Sequence, residues 1–153
     1  MIFITLGSQK FQFNRLLKAV DKLKTNDEIF AQIGYSDYKP QNYKYKEFLD
    51  RDEFSNMMSK TDIVITHGGT GAIINAIKKG KKVIAVPRLK KYGEHVDDHQ
   101  IQLIRQFCEL HLIYACEDMD LQKALETVKK TAYKAYKSNT QLIINSLEDF
   151  INE

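Results

Sequence analysis

The sequence predicts a doubly wound, Rossmann-like α/β domain, in which a parallel sheet carries helices on both faces. Short continuous apolar runs alternate with segments whose apolar residues recur every three or four positions. Such runs are typical of strands buried on both faces, and their alternation with helices favours parallel pairing. A length of 153 residues suits one domain with one core, so residues 1–153 are expected to form a single unit.

The first predicted elements follow from their apolar patterns. Residues 2–6 form a continuous apolar run, which predicts a buried strand. Apolar residues at helical spacing predict a helix over 11–24, and 28–33 is a second apolar strand. The Tyr- and Lys-rich segment 35–50 is expected to be a loop with one short extended piece, before a short helix over 51–60.

The second part of the chain continues the alternation to the C-terminus. Two aliphatic runs flank a glycine-rich turn and a helical segment, and a long polar loop separates them from the next helix. The predicted elements are a strand at 62–66, a helix at 70–79, a strand at 82–86, a helix at 96–108, a strand at 111–114 and two amphipathic helices over about 118–153. The two amphipathic helices are expected to be separated by a break at Ser138-Asn139-Thr140.

Composition excludes several classes of protein. The 23 basic and 20 acidic residues leave a formal net charge of +3, which is too small and too mixed to indicate nucleic-acid binding. Cys108 and Cys116 have no metal-type spacing, which suits a reducing cytosol. No apolar run approaches the roughly 18–20 residues of a membrane span. The chain is expected to be cytoplasmic and to reach a membrane only through a surface or a partner.

The turn His67-Gly68-Gly69-Thr70-Gly71 is the first candidate site. It follows a strand and opens a helix, where open α/β sheets bind ligands. Glycines let a ligand approach the backbone, and the N–H groups of the helix favour a phosphate there. Thr70 could cap the helix or donate its hydroxyl to that phosphate. The turn is neither a P-loop nor a dinucleotide fingerprint, and it could alternatively serve packing alone.

Two other loops are expected at the same edge of the sheet. Gly7-Ser8-Gln9 ends the first strand, and Ser8 is also a plausible N-cap of the next helix. The polar loop 87–100 follows the fifth strand and supplies donors and acceptors for sugar hydroxyls and cations for a diphosphate. Three such loops favour a binding site over packing alone.

Residues 62–100 resemble the nucleotide-binding half of glycosyltransferase family 28 enzymes, which have the two-domain GT-B fold. The resemblance rests on "THGGTGAIINAI", "GKKVIAVPR" and "VPRLKKYGEHVDDHQ", together with Gly7-Ser8-Gln9. It extends to single-domain subunits of two-chain glycosyltransferases, including a eukaryotic N-acetylglucosaminyltransferase of dolichol-linked sugar synthesis and bacterial capsule or exopolysaccharide enzymes.

The resemblance implies a site for a UDP-sugar, with the diphosphate on the helix after the turn and "DDHQ" on the ribose or donor sugar. Asn75 stands where the family usually has a Glu that binds the ribose hydroxyls, so a charge-assisted hydrogen bond is lost. The candidate UDP-sugar contacts are Gly7, Ser8, Gln9, His67, Gly68, Gly69, Thr70, Gly71, Asn75, Arg88, Asp98, His99 and Gln100.

The candidates for a general base are Glu94, His95 and His67, unless the other half of the enzyme supplies the base. His95 and His99 also have a spacing that suits a metal. Acidic residues at a helix start have a simpler explanation in the helix dipole, and the family uses no metal. Neither a metal nor a cofactor is therefore expected.

The resulting hypothesis is a donor-binding, catalytic subunit of an inverting UDP-sugar hexosyltransferase in polysaccharide biosynthesis. Its expected partners are a membrane-anchored glycosyltransferase subunit, which would recruit it to the cytoplasmic membrane face, and a lipid-linked saccharide acceptor. The alternatives are a non-catalytic nucleotide-sugar-binding subunit that enhances a partner, and a homo-oligomeric regulator that senses UDP.

Overall fold

Six parallel strands form one sheet in the computed structural model, which describes residues 1–137. Their order in the sheet is β3-β2-β1-β4-β5-β6, the arrangement of a doubly wound fold. The strands are β1 (Ile2–Thr5), β2 (Ile29–Gln32), β3 (Lys44–Lys46), β4 (Ile63–His67), β5 (Lys82–Val86) and β6 (Tyr114–Ala115).

Within residues 1–137, five α-helices cover the two faces of the sheet. Two of them pack with one core cluster and three with the other, so both faces of the central strands are buried. On the first face lie α1 (Asn14–Asp21) and α5 (Leu121–Lys130). On the second face lie α2 (Arg51–Lys60), α3 (Thr70–Lys78) and α4 (His99–Glu109).

The order of the strands reverses between β1 and β4. Both strands pair in register along their length, with Ile2 opposite Ile63 and Thr5 opposite Thr66. The chain leaves β1 for one face of the sheet and leaves β4 for the other, as their helices show. In folds of this kind the loops diverge at such a point and leave a crevice beyond the carboxyl ends of the strands.

Helix α1 begins three residues later than expected, and Ser8 does not cap it. The N-cap residue is Phe13, whose side chain makes no capping bond. Ser36 Oγ accepts a hydrogen bond from Phe13 N at 2.9 Å, and Gln12 Oε1 accepts one from Asn14 N at 2.9 Å. These acceptors satisfy backbone donors at the helix start, so Ser8 is left in the loop that follows β1.

Helix α2 has the bounds that its pattern predicts, because Asp50 and Glu53 form a reciprocal capping box at its start. Helix α4 begins at His99 rather than at 96. The last strand is shifted to Tyr114–Ala115, since His111 adopts a left-handed conformation with φ of 58° and the chain is still turning there.

Two amphipathic helices were expected at the C-terminal end of the chain, and the described residues contain one of them, α5. The next seven residues, 131–137, are not helical. The second C-terminal helix that we expected, with its break at Ser138-Asn139-Thr140, lies outside the described residues. Among the helices within 1–137, none has the length and apolar character needed to cross a membrane.

Candidate functional site in the crevice between β1 and β4

The three glycines of the turn after β4 differ in what a side chain at their position would meet. A Cβ on Gly68 would lie 2.8 Å from Gln100 Cβ, so this glycine lets α4 approach the turn. A Cβ on Gly69 would lie 2.2 Å from His67 Cε1. A Cβ on Gly71, by contrast, would meet no neighbouring atom within 4 Å in the described part of the chain. Two glycines therefore serve packing, and the third leaves open space beside the helix.

The N-terminus of α3 faces the crevice without a capping side chain. Gly69 is the N-cap residue, with extended backbone, and no side chain in the described part of the chain accepts from the first-turn amides. Thr70 is the first helical residue rather than the cap that we considered. The backbone N–H groups of this turn are thus available to an anion, as helix N-termini commonly are.

Gln100 joins the turn to the loop that follows β5. Its Oε1 accepts from Gly68 N and from Arg88 N, each at 3.0 Å, and its Nε2 donates to His67 Nδ1 at 3.2 Å. The side chain is buried. The amide therefore connects two loops, and the contact of Gln100 with the ribose or the sugar stays a prediction.

His67 is a neutral hydrogen-bond donor in this arrangement. Gln100 turns its Nε2 toward the ring because Oε1 is occupied by two backbone donors, so His67 Nδ1 is an acceptor and Nε2 carries the proton. Burial lowers the pKa of His67 to about 3, and the positive charge of the nearby Arg88 contributes to the same shift. The ring is therefore not the general base that we considered.

The His67 ring also reaches the loop after β1. A Cβ on Gly7 would lie 2.6 Å from His67 Nε2, and the same nitrogen lies 2.7 Å from the corresponding position on Gly69. The donor nitrogen thus lies between the two turns. Ser8 and Gln9, the other residues predicted for this loop, are exposed beside it.

Arg88 is buried beneath the crevice and ties the same loops together. Its Nη2 donates to Leu6 O at 2.6 Å, and its Nη1 donates to Phe11 O, Gln12 O and Glu94 O at 3.1 to 3.3 Å. Only 1% of the residue is exposed. Its guanidinium bonds carbonyl groups inside the protein, while its Nε has no partner among the described residues, and the contact of Arg88 with the diphosphate stays a prediction.

The carboxylate of Glu94, like the guanidinium of Arg88, is bonded to other protein groups. Its carboxylate accepts from Arg15 Nε at 3.0 Å and from Arg15 Nη2 at 2.9 Å, and it also accepts from Leu89 N at 2.9 Å. The residue is fully buried. The Glu94 carboxylate is thus bonded to protein groups at both oxygens, and its role as a general base stays a prediction. Sequence reasoning missed Arg15, which lies 79 residues away.

His95 keeps the geometry of a base. Its Nδ1 lies 3.1 Å from Asp97 Oδ1, and 15% of the side chain is exposed. The other carboxylate oxygen of Asp97, Oδ2, lies 3.4 Å from His99 Nδ1, and 58% of the His99 side chain is exposed. The bond from the backbone N–H of His99 is the largest cause that lowers the pKa of Asp97. The backbone N–H of Asp97 also donates to His95 Nδ1 at 3.4 Å, so Asp97 orients the ring through both its carboxylate and its backbone.

The remaining predicted contacts lie on helices α3 and α4. Asn75 is half-buried on α3, one turn beyond Gly71 and on the same side of the helix. Asp98 is the N-cap residue of α4, and its Oδ1 accepts from Lys90 N at 2.9 Å. Within the described residues no group of three His, Cys, Asp or Glu side chains could hold a metal ion, and metal-free chemistry stays a prediction.

Residues 1–153 match the model of the glycosyltransferase family 28 C-terminal domain. The chain belongs to this family. Human UDP-N-acetylglucosamine transferase subunit ALG13 is 28% identical over 125 residues, which are 74% of this chain and 11% of the human protein. The chain therefore spans about a tenth of the length of this curated relative.

Solved structures confirm the fold of this family 28 domain. The NMR structure of ALG13 has a TM-score of 0.63 at 17% identity, and the match covers 96% of both chains. The calicheamicin glycosyltransferase CalG4 has a TM-score of 0.60 at 17% identity, over 99% of this chain and 39% of CalG4. The predicted fold class, half of a GT-B glycosyltransferase, is confirmed.

His67 should make the family 28 domain less stable as the pH falls. Burial lowers its pKa to about 3 in the folded state, whereas an ordinary histidine titrates near pH ~6.5 in the unfolded chain. Stability from this group is thus complete above about pH 6.5 and is lost as the pH falls, because the unfolded chain then binds an extra proton. Between about pH 7 and pH 5 we expect a loss of about 2 kcal/mol, measured by urea unfolding.

The control for this effect is a second histidine. His67→Gln should lack most of the pH-dependent loss, whereas His111→Gln, which changes an exposed ring, should keep it. An equal loss in the wild type and in His67→Gln would contradict a neutral, buried His67.

Proposed function

We propose that the domain binds the UDP group of a nucleotide sugar in the crevice between β1 and β4, with the diphosphate at the first turn of α3. The observation that carries this proposal is the uncapped start of α3 beside the open space at Gly71. First-turn N–H groups and the helix dipole stabilise an anion there without a metal.

Two buried groups strengthen the same site. His67 Nε2–H lies between the turns at Gly7 and Gly69 and can donate to a phosphate oxygen. Because the guanidinium of Arg88 is bonded to carbonyl groups rather than to a carboxylate, its positive charge is left to attract an anion. Burial lowers the pKa of Arg88 only to about 10, so it remains a cation at neutral pH and favours a diphosphate nearby.

The chemistry that suits this site is inverting glycosyl transfer. An acceptor hydroxyl attacks the anomeric carbon of the sugar, the bond from that carbon to the diphosphate breaks, and UDP leaves with the electron pair. The N–H groups of α3 and His67 stabilise the negative charge as it develops on the leaving diphosphate. The acceptor proton passes to a general base.

Of the three candidate bases, His95 is the one that the contacts support. Glu94 is held by Arg15, and His67 carries its proton on the nitrogen that faces the crevice. His95 remains, with Asp97 on its Nδ1. We therefore assign the proton transfer to His95 in the catalytic form of the proposal.

A GT-B cleft has two walls, and this domain supplies one. We propose a membrane-anchored partner subunit for the other wall, a lipid-linked saccharide acceptor, and a place at the cytoplasmic membrane face in the synthesis of a capsule polysaccharide, exopolysaccharide or dolichol-type glycan. The word "subunit" in the name of the human relative supports a two-chain enzyme. UDP-N-acetylglucosamine, which that name also contains, is the first donor to test.

A non-catalytic role is the second candidate, and it is favoured by the loss of two potential bases. With Glu94 and His67 both occupied by protein groups, the chain retains His95 alone of the three candidates. If the partner supplies the base, this domain would hold the donor and enhance the reaction of the partner.

Donor binding should depend on the open space at Gly71. The full chain should bind UDP and UDP-sugars but not ADP in calorimetric titrations. Gly71→Ala should raise the unfolding free energy by up to about 1 kcal/mol, because alanine is the better helix former, and Gly71→Leu should also fold. Both variants should weaken UDP binding, the leucine variant by more than about tenfold, because their side chains fill the approach to the helix.

Ser55→Ala is the matched control, because it introduces the better helix former, alanine, at an exposed position in α2, away from the crevice. It should leave UDP binding unchanged. Normal UDP affinity in Gly71→Leu would show that the diphosphate binds elsewhere. The Gly69 position is a poorer test because a side chain there would collide with His67.

Asn75→Glu should strengthen UDP binding. A carboxylate makes a charge-assisted hydrogen bond to a ribose hydroxyl, which should contribute about 1 kcal/mol, or roughly fivefold in affinity. Asn75→Gln introduces a side chain of the same length as Glu without the charge and should give no such gain. Weaker binding by Asn75→Glu than by Asn75→Gln would show that this residue does not face the ribose.

The roles of catalyst and enhancer can be separated by kinetics. In a complex with the partner, His95→Gln should lower kcat by about 100-fold or more, with UDP affinity unchanged, because proton transfer is lost. Asp97→Asn should lower kcat less and alter the pH profile. His111→Gln is the matched control. Unchanged kcat in His95→Gln would support the enhancer role, and the isolated chain should be nearly inactive in either case.

A further inference from the structure

Arg15 connects helix α1 to the loop that carries His95. Its Nε and Nη2 donate to the two carboxylate oxygens of Glu94, at 3.0 and 2.9 Å, and Nη2 also donates to Pro87 O at 3.0 Å. The guanidinium therefore bonds both the start of the loop and the residue that directly precedes His95. No other cationic side chain in the range 1–137 forms a salt bridge with Glu94.

The loop closes on itself around the same carboxylate. It contains one turn of 3₁₀ helix, Lys90–Tyr92. On either side of that turn, Leu89 N donates to Glu94 Oε1 at 2.9 Å, and Glu94 N donates to Leu89 O at 3.2 Å. Residues 89–94 thus form one compact unit, and Arg15 attaches the carboxylate of this unit to α1.

The ion pair is shielded from solvent, so it is a strong constraint on the loop. Only 1% of the Glu94 side chain and 23% of the Arg15 side chain are exposed. Arg15 Cζ lies 4.8 Å from the centre of the Tyr92 ring and 5.6 Å from that of the Phe13 ring. Separating such a pair would leave a buried charge without its partner, which is strongly unfavourable.

His95 lies at the end of this unit and meets the loop after β1. The centre of its ring is 5.9 Å from that of Phe11, and Gln12 Nε2 donates to Tyr92 O at 2.8 Å. Because His95 follows Glu94 directly, the backbone that the Glu94 carboxylate fixes is the backbone from which the His95 ring projects. The position of the ring therefore depends on the ion pair.

We propose that Arg15 is a positioning residue, which acts through Glu94 to hold the His95 ring beside Phe11 at the crevice. The inference rests on the proposed transferase function, in which His95 accepts the proton of the acceptor hydroxyl. In this role Arg15 contacts neither the donor nor the reacting atoms. Its loss lowers the rate of the chemical step and leaves the affinity for UDP unchanged, because the diphosphate site is at α3.

The contacts of Arg15 require an arginine rather than any cation. Two carboxylate oxygens and the Pro87 carbonyl accept from one planar guanidinium at the same time. The single nitrogen of a lysine does not present such a fork. Arg15→Lys, which keeps the charge, should therefore reproduce most of the loss of positioning that Arg15→Met causes.

Arg88 provides the alternative attachment of the same loop. Its Nη1 donates to the backbone oxygen of Glu94 at 3.2 Å and to Phe11 O at 3.1 Å. These bonds fix carbonyl groups and leave the Glu94 carboxylate to Arg15. Removal of Arg15 decides whether Arg88 alone is sufficient.

The first measurement is the NOE cross-peaks between the ring protons of Phe11 and His95 in the full chain without a ligand. The wild type should show them, and Arg15→Met should lose them. Since Arg15→Met leaves a buried carboxylate without its cation, it should also unfold at a lower urea concentration. Arg15→Met/Glu94→Gln removes both charges, so it should recover most of that stability without recovering the cross-peaks.

The second measurement is sugar transfer in a complex with the partner. Arg15→Met/Glu94→Gln should lower kcat by about tenfold or more, as a displaced reacting group does, with the Kd for UDP unchanged. Arg15→Lys, which retains Glu94, should lower kcat as well, so the loss is not due to the missing carboxylate.

Arg105→Met is the matched control for both measurements. Arg105 makes a bidentate pair of the same kind with Glu117, next to the edge strand β6 and two strands away from β4. This variant should keep the cross-peaks and the wild-type kcat.

Four outcomes decide the proposal. Cross-peaks that persist in both Arg15→Met variants would overturn it and show that Arg88 holds the loop. Lost cross-peaks with an unchanged kcat would overturn it too, because the position of His95 would not matter to the reaction. A kcat that recovers with stability in the double variant would leave Arg15 a purely structural role. Failure of the wild type to bind UDP would contradict the transferase proposal, whereas the cross-peaks would still report whether Arg15 holds His95.

Discussion

The hydrogen bonds of the Gln100 side chain are the contacts on which the crevice depends. One amide bonds the backbone of the turn after β4, the backbone at the end of β5 and the ring of His67. A buried donor or acceptor left without a partner costs about 1–3 kcal/mol, so these groups hold each other in one arrangement. Since α4 carries Gln100 and the close approach of α4 requires Gly68, the helix and the turn depend on each other.

Arg88 extends this arrangement to the third loop. Its guanidinium bonds carbonyl groups on both sides of the crevice floor, and the Arg15–Glu94 pair closes the same loops nearer the surface. The loops are therefore fixed before a ligand binds, which reduces the ordering that binding must cost. Neither Arg88 nor the start of α3 is hydrogen-bonded to a carboxylate in the described contacts, which supports the proposed anion site.

Sequence periodicity predicted the order and type of nearly all the described elements, because strands and helices buried in two layers must carry apolar residues at their own spacings. It was less accurate at boundaries such as the start of α1, where the acceptor for Phe13 N is Ser36, a residue 23 positions away. A contact between residues so far apart in the chain produces no pattern in the sequence near the helix start, so periodicity could not predict it.

For the candidate site, too, the sequence predicted some features and did not predict others. The sequence placed the right loops at the carboxyl edge of the sheet, but it did not show which polar side chains point inward. Arg88 and Gln100, which we predicted as ligand contacts, and Glu94, which we considered as a general base, are all buried and bonded to other protein groups. Arg15, which binds Glu94, has no sequence signal for that role, because the two residues are 79 positions apart.

The most direct test of the donor site is a titration of the ¹⁵N-labelled chain with UDP, followed by the backbone amide signals. We expect the largest shifts for the amides of Gly69 to Ala72 at the start of α3 and for Gly7 across the crevice, since the diphosphate would contact the first group and lie beside the second. Shifts confined to residues of α1 and α5, with the α3 amides unchanged, would contradict a diphosphate site at α3.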